Sequence, residues 1–202
     1  MSNIGLILLA AGASTRMGTP KQLLQYQQHS LLRHMVEVAL ASVCNPVIVV
    51  LGAYADRIRP EVELPNVRIV ENDRWSEGMS TSIRSGIEAL NDDVEAVVLM
   101  LCDQPFVSTQ IINQLVHVFR ATDGQIVASE YGGVQGVPAL FKRTLFAELL
   151  TLSGAAGARQ VIKQNAGEVF SLSFPEGIFD LDTRNDYERF QKLIAVSFLK
   201  RC

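Results

Sequence analysis

A chain of 202 residues, 48% hydrophobic and 19% charged, carries enough apolar material for a compact core and too much for a disordered polymer. Its formal net charge of -3 gives no general attraction to nucleic acid or to an anionic membrane surface, so any phosphate-bearing ligand must be held by local cations and amides. The three cysteines, Cys44, Cys102 and Cys202, are odd in number and far apart, which excludes a disulfide framework and a CxxC metal pair. The opening lacks a basic leader, and the apolar run Ile4 to Ala11 is too short to span a bilayer, so the cytoplasm is the expected location.

The first element, Ile4 to Ala11, is a continuous apolar run of strand length that ends at Gly12. Continuous runs suit strands covered by helices on both faces. A helix is expected over Ser30 to Ser42, with Leu31, Leu32, Met35, Val36, Val38 and Ala39 on one face. Pro46 to Leu51 repeats the strand pattern, and Val67 to Val70 is a shorter example. Met79 to Leu90 reads as a helix that begins with small residues. Ala96 to Leu101 is a strand that runs into Asp103. Ser108 is placed to cap a helix over Thr109 to Ala121, and Gln125 to Ser129 forms a fifth strand. From Glu130 to Leu181 two glycine-rich segments flank a short helix, and this stretch reads as an elaboration over the sheet. Thr183 or Asn185 starts a last helix from Asp186 to about Leu199. Strands alternating with helices predict an α/β protein: a Rossmann-like three-layer fold around a mostly parallel sheet. One domain over residues 1–202 is expected, in two halves, one to about residue 105 and one from about residue 106.

Chemistry is expected at the carboxyl ends of the strands, where open α/β sheets bind ligands. The loop after the first strand holds Ala10, Ala11 and Gly12, small residues that let backbone amides approach a phosphate or a base edge. Arg16 and Lys21 add two cations to it. The loop fits neither GxxxxGK[ST] nor GxGxxG, which counts against a motor NTPase and a dinucleotide dehydrogenase. Asp103 sits at the same rim, where a hard carboxylate can hold Mg²⁺ against triphosphate oxygens. Asp180 and Asp182 share a face if their segment is extended, and either could supply a second carboxylate. Gly78 and Ser80 to Ser82 stand at a helix start suited to hydrogen-bonding a base or sugar. His29, His34 and His117 lack ligand-like spacing, Trp75 reads as core or lid packing, and Cys102 has no general base nearby to make it a nucleophile.

The motif from Leu9 to Leu24, LAAGASTRMGTPKQLL, resembles the LAAGxSxRMGxPKxLL signature of the MobA-like nucleotidyltransferases. Its Ala-Ala-Gly form is similar to the cytidylyltransferase branch. Cys102-Asp103-Gln104-Pro105 resembles that family's CDxP, and Asp180 to Tyr187 its closing D-[IL]-D-T-x-x-D-[YF]. Trp75 to Ile87 is similar to the W-x-x-G-M-x-x-S stretch of the molybdopterin cytidylyltransferases, and Gly133 to Phe141 and Leu152 to Arg159 to two acceptor-side motifs. The resemblance implies a fold of the nucleotide-diphospho-sugar transferase type and transfer of CMP from CTP to the terminal phosphate of molybdopterin, with pyrophosphate leaving. It implies catalytic roles for Arg16, Lys21 and Asp103, Mg²⁺ on Asp103 and Asp182, cytosine reading by Gly78 and Ser82, and an acceptor phosphate at Arg159. A molybdenum hydroxylase apoenzyme is an implied client. Two positions depart from the pattern: Ala155 stands where an acidic residue is usual, and Val137 where His is common. GTP as donor, another phosphorylated acceptor, and a non-catalytic cofactor-insertion protein are the competing readings.

Overall fold

The computed structural model describes residues 3–199, with side chains described to residue 194. Seven strands form one sheet in the order β5-β4-β1-β6-β8-β7-β9. They are β1 (Asn3–Leu9), β4 (Val47–Leu51), β5 (Val67–Glu71), β6 (Val94–Leu101), β7 (Ile126–Tyr131), β8 (Val134–Lys142) and β9 (Val169–Ser173). A two-stranded ribbon, β2 (Gln25–Tyr26) and β3 (His29–Ser30), stands apart. The helices are α1 (Leu31–Leu40), α2 (Ala55–Ile58), α3 (Met79–Glu88), α4 (Thr109–Ala121), α5 (Phe146–Thr151), α6 (Ala158–Gln164) and α7 (Arg184–Leu199).

Alternation along β1 divides the core into two. Ile4, Leu6 and Leu8 join α1, α2, α4 and α7 through Leu32, Met35, Ile58, Leu115 and Phe190. Ile7 and Leu9 face the other way and pack with α3, α5 and α6 through Ile83, Leu149 and Ile162. A strand buried on both faces cannot alternate apolar with polar, which is why these runs are continuously apolar. Three layers result, as the sequence predicts.

Local signals hold at the helix starts. Ser30 Oγ accepts from Arg33 N at 3.1 Å, and Ser108 Oγ accepts from Ile111 N at 3.4 Å. Thr183 Oγ1 accepts from Asp186 N, while Asp186 Oδ2 accepts from Thr183 N at 2.8 Å, a reciprocal cap at the entry to α7.

The stretch after Glu130 departs from expectation. Its short helices α5 and α6 do lie over the sheet, as expected, but its strands enter it. Strand β8 inserts antiparallel between β6 and β7, with Val97 opposite Phe141 and Ile126 opposite Phe141 on its other side. Strand β9 then pairs parallel with β7. Glycine and proline within residues 133–141 mask the strand pattern, and Gly136 and Pro138 sit where the ladder shifts register near Ser129. Within the seven-stranded sheet all pairings but those of β8 are parallel.

Candidate active site

Strands β1 and β6 are neighbours, and Cys102 N donates to the Leu9 carbonyl at 3.2 Å. The first loop and the Asp103 turn therefore open side by side at one rim. Between them lies a cleft of about 330 Å³, walled by Ala11, Gly12, Lys21, Trp75, Ser82 and Asp103 among others.

The loop is pinned from below by Gln22, a residue 1% exposed. Its Nε2 donates to the carbonyls of Ala10 at 2.8 Å and Gly12 at 2.9 Å. Lys21 N donates to Ser14 Oγ at 3.0 Å, which closes the loop on itself. Ala10 N is spent on the Val50 carbonyl at 2.9 Å, so Ala10 shapes the wall. The amides of Ala11 and Gly12 have no acceptor among the described residues and are left for a ligand.

Lys21, Asp103 and Asp182 converge at the mouth. Lys21 Nζ donates to Asp103 Oδ2 at 2.5 Å and to Asp182 Oδ1 at 3.1 Å. Arg16, largely exposed, donates to Asp182 Oδ2 at 3.0 Å. Burial by itself lowers the Lys21 pKa, but the charges of Asp103 and Asp182 and their hydrogen bonds outweigh it and hold the ammonium above its ordinary value. What brings Asp182 here is a backbone contact: Leu181 N donates to the Asp103 carbonyl at 2.9 Å. Leu181 is fully buried, so its neighbours Asp180 and Asp182 are both left at the rim.

Asp103 Oδ1 is buried without a hydrogen-bond partner. An orphaned carboxylate oxygen is costly unless something fills its place. A hard divalent cation fits that position. Among the described residues no three His, Cys, Asp or Glu gather into a cage. Mg²⁺ typically takes one or two carboxylates and completes its shell with water and substrate phosphate, which is the arrangement Asp103 and Asp182 offer.

At the other wall, Gly78 lines the cleft in a left-handed conformation, φ 117°. An added Cβ there would clash with the Gly154 carbonyl oxygen, so the glycine is required by packing against the Ser153 to Ala156 turn. That same carbonyl accepts from Ser80 N at 3.3 Å and Ser80 Oγ at 2.9 Å. Ser82 is buried in the wall, and its Oγ accepts from Asn72 Nδ2 at 3.0 Å; Thr81 Oγ1 accepts from the same nitrogen at 2.8 Å. Trp75 is 37% exposed and lines the cleft, so it belongs to the site wall and not to the core. Cys102 is buried, and burial first, then the Asp103 charge, pushes its thiol far up, away from nucleophilic use.

Arg159 does not join this group. It lines a second cavity of about 340 Å³ with Gln104, Tyr131, Val137, Ala155 and Asp180. Its Nη2 donates to Tyr131 Oη at 3.2 Å, and its guanidinium lies 5.6 Å from the Tyr131 ring centroid. Leu9, Met79 and Leu101 wall both cavities, so the two adjoin. Gln22, Asn72, Gln104 and Tyr131 were given no role by the sequence; a buried glutamine or asparagine beside a glycine-rich turn is the signal that could mark the first two.

The family model for the MobA-like NTP transferase domain matches residues 6–169. Nicotine blue oxidoreductase of Paenarthrobacter nicotinovorans is 34% identical over 78% of this chain and 80% of its own length. The molybdenum cofactor cytidylyltransferase of Escherichia coli is 26% identical over 93% of this chain and 95% of its own. The crystal structure of Rv0371c from Mycobacterium tuberculosis, 30% identical, superposes with a TM-score of 0.83 over 95% of this chain and 98% of that one; a complex of Rv0371c with manganese gives 0.76 over 93% and 97%. No helix among the described residues is long and apolar enough to cross a membrane. A fold that opens β1 and β6 onto one cation-and-carboxylate cleft, together with a family match across most of the sequence, places this chain in the MobA-like NTP transferase family as a nucleotidyltransferase.

Proposed function

We propose that this protein transfers CMP from CTP to the terminal phosphate of a molybdopterin-type acceptor, with Mg²⁺ held by Asp103 and Asp182. The observation that carries the reading is the convergence of Lys21, Asp103 and Asp182 beside the open amides of Ala11 and Gly12. The relative named as a molybdenum cofactor cytidylyltransferase supports the choice of donor and acceptor, and the manganese complex of Rv0371c supports a divalent cation.

In the reaction an acceptor phosphate oxygen attacks the α-phosphorus of CTP, the α–β bridging bond breaks, and pyrophosphate carries away the bonding pair. The nucleophile is already anionic, so the site needs no strong base; alignment and charge neutralisation suffice. Bound Mg²⁺ would supply Lewis-acid polarisation of the triphosphate oxygens. Lys21 would neutralise charge on the α-phosphate, and Arg16, exposed at the mouth, would meet the β- and γ-phosphates. The amides of Ala11 and Gly12 would orient the triphosphate. Gly78 and Ser82 would wall the base, and Arg159 would act on the acceptor side. A molybdenum hydroxylase apoenzyme is the proposed recipient of the product.

The test is pyrophosphate release with Mg²⁺ and molybdopterin-type cofactor, comparing CTP, GTP, ATP and UTP. Release with CTP alone is expected; release with GTP overturns the base assignment and keeps the mechanism. A second reading, an oxidoreductase, rests on the 34% identity to nicotine blue oxidoreductase. Reduction of nicotine blue by the protein with an added electron donor, together with no pyrophosphate from any nucleotide, would favour it.

A further inference from the structure

The two edges of the sheet are not alike. Strand β5 closes one end, and its edge is guarded. Val67 N donates to the Leu64 carbonyl at 3.2 Å, and Arg68 and Glu71 set charges along the strand, Glu71 paired with Arg59. Charge on an edge strand discourages a further strand from adding to it. Strand β9 closes the other end, and from Val169 to Pro175 the chain reads VFSLSFP, with no charged side chain. Among the described residues no third strand pairs with its outer backbone.

Which groups face outward follows from the ladder. Strands β7 and β9 run parallel, with Val127 opposite Phe170 and Ser129 opposite Leu172. Phe174 N donates inward, to the Glu130 carbonyl at 2.9 Å. In a parallel ladder a residue sends its N–H and C=O to the same neighbour, and the next residue sends both the other way. Phe170 and Leu172 therefore bond to β7, and Val169, Ser171 and Ser173 turn both backbone groups outward. A second β9, antiparallel and centred on Ser171, satisfies every one of these groups. Ser171 then stands opposite Ser171 and Val169 opposite Ser173, and each such pair exchanges two hydrogen bonds.

The side chains fit the same register. Phe170 is 43% exposed, and its ring lies on Gly124, just past α4, where no Cβ could be accommodated. Leu172, on the same face of the strand, packs against the core beside α4. In the paired arrangement Phe170 of one copy stands opposite Leu172 of the other, in the non-hydrogen-bonded position where side chains come closest. This apolar pair forms twice across the axis. Glu168 and Glu176 flank the neutral run and fall opposite Phe174 and Ala166 of the second copy, so like charges do not face each other. A foreign strand could match the backbone, but only a second copy brings both the symmetric register and the Phe170–Leu172 pairs. We propose that β9 is a self-association edge, joining two copies of this chain antiparallel about Ser171 into one continuous sheet. Neither the donor nor the acceptor of the transfer bears on it, and β8 and β7 separate β9 from the strands that carry the cleft. Five paired residues make a small interface, so association at the micromolar level or weaker is expected.

The experiment is sedimentation velocity of the whole chain from about 5 to about 500 μM, a span that brackets micromolar association. The average mass is expected to climb from that of one chain toward that of two. Ser171→Pro removes an amide that faces outward and so costs β9 no bond to β7; proline is tolerated at such edge positions. It should weaken association at least about tenfold, through the lost cross-axis bonds. Should that variant fold poorly, two cysteine variants decide, each oxidised and read against the wild type. Ser171→Cys should give a disulfide-linked dimer, because residues opposite each other in such a pair have Cα atoms about 5.5 Å apart. Ser173→Cys should not, because its own counterpart lies four positions away, at about 14 Å. A single-chain mass over the whole range, association unmoved by Ser171→Pro, or equal cross-linking of the two cysteine variants would overturn the proposal.

Discussion

Lys21 Nζ lies 2.5 Å from Asp103 Oδ2, across 82 residues of sequence, and both side chains are about 15% exposed. The ammonium sits on one oxygen of the carboxylate that, on the proposed reading, would hold a divalent cation through the other. Lys21 and Arg16 together balance the charges of Asp103 and Asp182, and on the proposed reading nucleotide would draw the lysine toward phosphate as a metal bound.

Lys21→Met therefore separates two effects. Turnover should fall roughly 10²–10³-fold, the usual cost of removing one charge-stabilising donor. Affinity for Mg²⁺ in the absence of nucleotide should rise, because the competing cation is gone. Mg²⁺ titration calorimetry beside steady-state pyrophosphate release checks both. Unchanged turnover would contradict the role given to Lys21.

Two glycines in the same cleft wall should respond in opposite ways. Gly78→Ala sets a Cβ against the Gly154 carbonyl in a backbone conformation that L side chains avoid, and should destabilise the fold by about 1–3 kcal/mol. Gly12→Ala meets nothing within 4 Å and should leave stability within about 0.5 kcal/mol. Any weakening of CTP binding in Gly12→Ala then reports the ligand alone. Urea denaturation of both variants, followed by CTP titration, makes the comparison.

Trp75 is the protein's one tryptophan and stands in the wall of the first cleft. Addition of Mg²⁺ and CTP should change its emission saturably, and Lys21→Met should require more CTP for the same change. A flat titration at millimolar CTP would remove Trp75 from the nucleotide site.

His34 gives a pH-dependent stability away from the site. Burial, set against the attraction of Glu37 and reinforced by His29, holds its pKa below the ordinary 6.5, and its ring lies 4.1 Å from that of Tyr26. The unfolded chain then binds the proton more readily than the folded one. Stability is unaffected above the unfolded value and declines as pH falls below about 6.5. His34→Leu should flatten that decline in a series of urea melts from pH 8 to pH 5; an unchanged slope would clear His34 of the effect.

The local parts were legible because their causes are local. Continuous apolar runs mark strands covered on two faces, the helix starts at Ser30, Ser108 and Thr183 are set by side chains within three residues, and the small residues of the first loop follow directly on β1. The place of β8 was not legible, because pairing between β6 and β7 depends on distant partners and its own glycines and proline obscure the period. The role of Gly78 was hidden for the same reason: the atom that demands a glycine there belongs to Gly154.

By itself the sequence determined the alternating α/β architecture and the residue types gathered at the strand ends: small residues, two cations and an aspartate. Tertiary structure alone decided which of them meet. The bond from Leu181 N to the Asp103 carbonyl carries Asp182 to Lys21 across 161 residues, and it leaves Asp180 in the neighbouring cavity with Arg159. Spacing along a chain sets which face a side chain takes, but the meeting of two faces is set by the sheet order and core packing that hold them together.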